Sequence, residues 1–341
     1  MAIRSLGNST SPYDAVMGQT GENTGVKDYD PPLITGYGGR GMSGGGNSGA
    51  PSYTNVIEYI TIANTGNATD FGDLTVARNA NGASGGSGRG TWWGGWLGSR
   101  SDTIDYVTAA STGNASDFGN MTVERSPYQA VCGSGTRGVC GGGHGVPGPG
   151  DTSSDIIDYI TYSTTGNATD FGDLTVARTS GAALSSNTRG VFIGGSNQTS
   201  PFPRYNTIDY VTIATTGNAT DFGDQEVGSS NAIGNSNLTR GVWMQGYQGS
   251  PVNATINGMS YLTIASTGNA SDFGDMLVTK SSPHGMSSGE GDRATFAGGQ
   301  VPGVPYTNAI EYVTISSTGD GTDFGDLNTG VYNGAGCAQD I

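Results

Sequence analysis

The stretch S-T-T-G-N-A-T-D-F-G-D-L-T-V-A-R-T-S-G, Ser163–Gly181, holds a phrase that this 341-residue chain writes six times. Its core, T-G-N-A-[ST]-D-F-G, stands at Thr65–Gly72, Thr112–Gly119, Thr165–Gly172, Thr216–Gly223 and Thr267–Gly274, and returns as T-G-D-G-T-D-F-G at Thr318–Gly325. The Phe positions are 71, 118, 171, 222, 273 and 324, so the steps are 47, 53, 51, 51 and 51. A fixed period of this size marks a chain built from stacked supersecondary units, in which no unit buries its apolar face alone.

Two further markers keep the same period. One opens with arginine: R-G-M-S-G-G at Arg40, R-G-T-W-W-G-G at Arg89, R-G-V-C-G-G at Arg137, R-G-V-F-I-G-G at Arg189, R-G-V-W-M-Q-G at Arg240 and R-A-T-F-A-G-G at Arg293. The other is β-branched and aromatic, as in N-V-I-E-Y-I-T-I at Asn55 and N-T-I-D-Y-V-T-I at Asn206; the fifth copy departs from it with N-G-M-S-Y-L-T-I at Asn257. Short β-branched runs bounded by Gly-rich turns read as strands, and no apolar spacing of helical period occurs. Each unit is thus expected to hold four strands: L-T-V-A-R (Leu74–Arg78, Leu174–Arg178), the arginine run, the I-D-Y-V-T run and the short D-F-G-D segment. The third strand carries apolar residues on both faces, Ile208 and Tyr210 with Val211 and Ile213, and a strand buried on both sides needs layers above and below its sheet. Six such units fit an all-β, six-bladed propeller of four-stranded blades, within the range of roughly four to eight blades known for that architecture.

Composition narrows function. The chain has 61 Gly and is 34% hydrophobic and 13% charged, against roughly 25% charged in an average globular protein. Its formal net charge is −15, with 14 Lys and Arg and no basic stripe. Nucleic-acid backbones are held by clustered cations, so no nucleic-acid partner is expected. No apolar run approaches membrane-spanning length, and M-A-I-R-S-L-G-N-S-T carries no secretory leader pattern. The three cysteines, Cys132, Cys140 and Cys337, are too few for a disulfide framework and read as small buried residues.

A strand ending in Gly-Gly, a variable loop and an aromatic in the next strand together resemble the kelch repeat. The glycine pairs are Gly44-Gly45, Gly94-Gly95, Gly141-Gly142, Gly194-Gly195 and Gly298-Gly299; the aromatics are Tyr59, Tyr106, Tyr159, Tyr210 and Tyr312. The fifth copy has Gln245-Gly246 instead of the pair, and the Phe of D-F-G stands near the place of the late Trp of a kelch blade. More specifically, T-G-N-A-T-D-F-G-D-L-T resembles kelch-like repeats in virion proteins of marine tailed phages of the cyanophage type. That resemblance implies a non-enzymatic structural protein of a virion, assembled in the host cytoplasm and attached to capsid or tail. It places residues 37–341 in the propeller and leaves residues 1–36 as an N-terminal extension, either a disordered tail or an arm docking onto other virion proteins. Leu327–Tyr332 is expected to close the ring as the missing strand of the first blade, with Leu33–Thr35 the competitor.

The repeated turn itself reads as architecture. Gly66 and Asn67 suit positive φ, Thr69 and Asp70 suit bonds to their own turn, and Phe71, Phe118, Phe171, Phe222, Phe273 and Phe324 each anchor an outer strand. A kinase reading of D-F-G requires one copy with a lysine and a catalytic loop, whereas this chain has only Lys27 and Lys280. Asn67, Thr69, Asp70 and Asp73 put oxygens together, but without the EF-hand pattern, so no metal or cofactor is expected. Asp73 is expected to pair with Arg89, and the arginines Arg40, Arg89, Arg137, Arg189, Arg240 and Arg293 to act as structural cations. The N-A-[ST] sequons at Asn67, Asn114, Asn167, Asn218 and Asn269 read as Asx-turns. His144 and His284 stand in different repeats, and no hydrolase or phosphate-loop motif occurs. The loops after the Gly pairs vary and hold Tyr53, Trp96, Phe202, Tyr205, Tyr247 and Tyr306, a candidate face for a host-surface glycan or receptor.

Overall fold

Each copy of the repeat folds as a four-stranded antiparallel sheet, and in all but the first the strands are ordered in space as in sequence. A computed structural model describes residues 39–49, 52–145, 152–199, 201–287, 291–304 and 306–338, all within the compact unit Tyr37–Ile341. Residues 1–36, read as a docking arm, lie outside the described residues, as does Leu33–Thr35. Among the described residues there is no helix, and none long and apolar enough to cross a membrane. Six four-stranded sheets and two small accessory sheets make up the architecture, which is consistent with a propeller-like all-β fold.

The fourth sheet is typical. Its strands are Ala182–Ser185, Arg189–Ile193, Thr207–Thr212 and Thr220–Asp224. Val191 faces Leu184 on one side and Tyr210 on the other. The outer pairing shifts register between Ile208 and Asp209, opposite Gly223 and Asp221, so Phe222 sits in a β-bulge. The same shift recurs in the other five sheets. D-F-G is therefore a bulge, and its glycine has φ between 137° and 147° in all six copies.

The inner strands are not the L-T-V-A-R segments. They lie several residues further on, as Gly82–Gly86, Val131–Gly133, Ala182–Ser185, Ile233–Ser236, His284–Ser287 and Ala335–Ala338. L-T-V-A-R is a bent connector: Leu74 and Arg78 are both buried, while Val76 between them is exposed, a spacing that a pleated strand does not produce. The inner strands are poor in β-branched residues because they crowd together. A β-carbon on Gly85 would lie 1.9 Å from the carbonyl oxygen of Ala338, and one on Gly133 would lie 2.3 Å from the Tyr162 hydroxyl. A cavity of about 60 Å³ is lined by inner-strand residues of all six sheets.

The first sheet takes its inner strand from the far end of the chain. Ala335–Ala338 pairs with Arg40–Gly44, with Met42 opposite Cys337. The expected closing segment, Leu327–Tyr332, instead repeats the bent connector, and Leu327 is buried as Leu74 is. The core consists of six apolar clusters, each shared by two adjacent sheets. One joins Ile57 and Phe71 of the first sheet to Trp92 and Val107 of the second. Another joins Ile310 and Phe324 of the sixth to Ile60 and Ile62 of the first. Every D-F-G Phe is buried and meets the tyrosine of its own third strand edge-on, with centroids 5.7–6.0 Å apart.

Candidate functional site

Several of the residues that recur in the copies meet at the joints between sheets. The T-G-N-A turn of one sheet lies along the outer strand of the sheet before it. Gly113 N donates to Phe71 O and Ala115 N to Asp73 O, both at 2.7 Å, and Asn114 Oδ1 accepts from Asp73 N at 3.1 Å. The same side-chain bond recurs at Asn167, Asn218, Asn269, Asp320 and Asn67. The sequon asparagines thus bond a neighbouring sheet rather than their own turn, which corrects the Asx-turn reading. Of the aspartates expected to bond their own turn, Asp117 does so, accepting from Gly119 N.

The strand-opening arginines form a second joint. Arg40, Arg89, Arg137, Arg189, Arg240 and Arg293 each lie over the tyrosine of their own third strand, 4.3–4.7 Å from its centroid. Each donates through Nη1 to a carbonyl just past the third strand of the next sheet: Ala109, Tyr162, Ile213, Ile264, Ile315 and Ile62 in turn. Arg89 therefore engages Tyr162 O and the Tyr106 ring, and the expected Asp73–Arg89 pair is absent from the described ion pairs.

The described ion pairs lie elsewhere, fully buried, between four of the connectors and the third strand of the next sheet. Arg78 meets Asp105 at 3.1 Å, Arg125 meets Asp158 at 2.9 Å, Arg178 meets Asp209 at 2.9 Å and Lys280 meets Glu311 at 3.0 Å. The threonine three residues before each arginine completes the carboxylate; Thr75 gives both its N–H and its hydroxyl to Asp105. Burial lowers the pKa of Arg78, Arg178 and Lys280, and the facing carboxylate opposes that shift. In the fifth sheet both charges are gone: Ser229 and Ser260 hold the two positions, and Gln225 fills the space, donating to Ser229 Oγ and accepting from the Trp243 indole. In the first sheet only the cation is gone. Val331 faces Glu58, and burial raises the pKa of that carboxyl.

These pairs were missed by reading one copy at a time. Aligning the six copies shows them: the connector position reads Arg78, Arg125, Arg178, Ser229, Lys280, Val331, against Asp105, Asp158, Asp209, Ser260, Glu311, Glu58.

The loop aromatics all lie in or beside connections from second to third strands, hence at the same end of their sheets. Only Phe202 is fully open, at 52% exposure. Tyr53, Trp96, Tyr205, Tyr247 and Tyr306 are half-buried and pack within the loops. Tyr306 stacks on Tyr332 with centroids 6.4 Å apart, Tyr247 lies 4.1 Å from the Arg204 guanidinium, and Arg100 lies 5.4 Å from Trp96. Tyr205 Oη accepts from Asn197 Nδ2.

Among the described residues, no three His, Cys, Asp or Glu side chains stand together as ligands for a metal ion. The three thiols are free and buried, and burial pushes each up to about 12. His284 is buried between the first and sixth sheets; Gly334 N donates to its Nε2, and its Nδ1 meets Ser43 Oγ. Desolvation lowers its pKa from 6.5 to about 3, so the ring is neutral and carries its proton on Nδ1. No protein-family model matches the chain, and no curated protein is significantly similar to it.

Proposed function

We propose that the chain is a six-bladed, kelch-like β-propeller serving as a non-enzymatic structural protein of a phage virion, attached to capsid or tail. The propeller reading is supported by continuity of the joints. Gly66 N donates to Phe324 O, Arg293 donates to Ile62 O, and Ala335–Ala338 completes the first sheet, so the sixth sheet meets the first as each earlier sheet meets the next. The observation that carries the virion reading is the repeat T-G-N-A-T-D-F-G-D-L-T with its resemblance to marine-phage virion repeats. The placing of the repeated Phe, Asn and strand-opening Arg side chains at the joints also favours a durable scaffold, since those groups are engaged within the fold. The partners on this reading are other virion proteins met through residues 1–36, and the location is the virion. The test is incorporation: phage particles made with the full chain contain it at fixed stoichiometry, and particles made with residues 1–36 deleted do not. Absence of the full chain from every particle fraction overturns the reading.

A second reading, a host-glycan or receptor binder acting through the loop end, is favoured by one observation. Apolar side chains stand open on four of those loops: Leu97 at 37%, Phe202 at 52%, Val252 at 48% and Val304 at 55%. Apolar groups at one end of a fold form a contact surface where they gather into a continuous patch. On this reading F202A, W96A and Y205A particles assemble normally but lose adsorption to host cells; unchanged adsorption removes it.

A further inference from the structure

Three of the joints between connector and third strand hold an arginine, one holds a lysine, and one has replaced both charges. Among the described residues, the joint onto the first sheet keeps a carboxylate without a covalent cation. Glu58 is 7% exposed, and its Oε1 accepts from Asn328 N at 3.1 Å, in the place where Asp105 accepts from Thr75 N. The backbone opposite is in register with the other connectors. Val331 O accepts from Gly299 N at 2.7 Å, as Arg78 O accepts from Gly46 N, Arg125 O from Gly95 N and Arg178 O from Gly143 N. Val331 therefore occupies the arginine position, and the valine stops short of the carboxylate.

The space that results is a cavity of about 120 Å³, lined by Glu58, Val331, Ser43, Ser48, Thr54 and Thr329 among others. Its acceptors match those that hold the internal cations. Arg78 Nη2 and Lys280 Nζ each bond the third-strand carboxylate and also the carbonyl of the facing second-strand residue, Trp92 O and Phe296 O, at 3.1 Å. Arg178 does the same with Phe192 O at 3.3 Å. Ser43 is the residue at that second-strand position here, paired across the ladder with Glu58. A carboxylate taken from water without a cation is costly, and the cost is relieved by a paired, hydrogen-bonded positive group. A planar guanidinium offers several donors to such a mixed set of carboxylate, carbonyl and hydroxyl acceptors.

We infer that the Glu58 cavity is a binding site for an alkylguanidinium group supplied from outside this position, seated as the Arg78 and Arg178 side chains are seated within the fold. The group comes either from a free small cation or from an arginine side chain of a peptide or protein. The inference is independent of the virion reading, since it rests on the joint and not on any partner.

The test is calorimetric titration and thermal shift of the full-length protein with two probes, agmatine and acetyl-Gly-Arg-Gly-amide, with uncharged butylurea as control. Saturable binding of either cation, with a rise in melting temperature and no effect of butylurea, is the expected result. A tighter fit for the peptide points to a protein arginine, and equal affinity points to a free cation. E58Q, which keeps the shape and removes the charge, weakens binding by about 30-fold or more. V331R, which fills the site covalently, abolishes binding and raises the melting temperature of the unliganded protein. Circular dichroism of both variants checks that they fold. Absence of saturable binding to the wild-type protein, or equal binding by E58Q and V331R, overturns the inference.

Discussion

Asn67 and Asp326 are 259 positions apart in the chain, yet Asn67 Oδ1 accepts a 3.1 Å hydrogen bond from the backbone N–H of Asp326. The same contact elsewhere joins neighbouring copies 41–47 residues apart. One turn chemistry thus serves five local joints and one that ties the two ends of the unit.

The glycine of D-F-G is required by a neighbour as well as by its own φ. Gly172 has φ 143°, and a β-carbon there would lie 2.5 Å from both the carbon and the oxygen of the Gly217 carbonyl; Gly166 has φ 156° with nothing within 4 Å. G172A is expected to destabilise by more than about 2 kcal/mol and G166A by distinctly less. Urea unfolding of the two variants decides it, and equal losses would refute the role of the joint.

Removing one member of a buried ion pair leaves the other charge unpaired. R178S is expected to cost about 3–5 kcal/mol. The double variant R178S/D209S, which copies the natural Ser229 and Ser260, is expected to recover part of that loss. A double-mutant cycle by chemical denaturation measures the coupling, and simple additivity of the two losses contradicts the proposed pairing.

His284 makes stability fall with acid. Its pKa is depressed from 6.5 to about 3 in the folded protein, so between these values the unfolded chain binds a proton that the folded chain refuses. The stabilisation is complete above pH 6.5 and is lost as pH falls toward 3, by roughly 2–4 kcal/mol from this group. H284N is expected to flatten that part of the pH–stability curve; a wild-type slope in the variant would show that other groups cause it.

A chain ending at Gly334 lacks the strand paired with Arg40–Gly44 but keeps Leu327–Tyr332. It is expected to melt lower by more than about 10 °C. An unchanged melting temperature in differential scanning calorimetry would assign closure to Leu327–Tyr332 after all.

Much of this architecture is legible in the sequence because the same residues solve the same problem six times. The arginine strands, the I-D-Y-V-T strands and the D-F-G segments were all placed by their β-branched and aromatic content. The inner strands were not, since G-A-S-G-G and A-G-C-A carry no strand propensity; their conformation is imposed by crowding at the centre. L-T-V-A-R has the opposite character, strand-like in composition but bent by the burial of Leu74 and Arg78 on one side. The asparagine bonds and the ion pairs were hidden for another reason: each joins one copy to the next, and no single copy contains both partners. The loop aromatics are legible as variable-loop residues, but their packing, as in Tyr306 on Tyr332, depends on segments distant in sequence.

The T-G-N-A turn has a consequence for life at high density. The outer strand of a sheet normally presents a row of open N–H and C=O groups to any passing chain. In this protein Phe71 O, Asp73 N and Asp73 O are already taken by Gly113, Asn114 and Ala115, and the outer strand of the sixth sheet is capped in the same way by Gly66, Asn67 and Ala68. Many copies can therefore stand side by side without strand exchange or fibril growth from these edges, a form of aggregation resistance written into the same turn that joins the sheets.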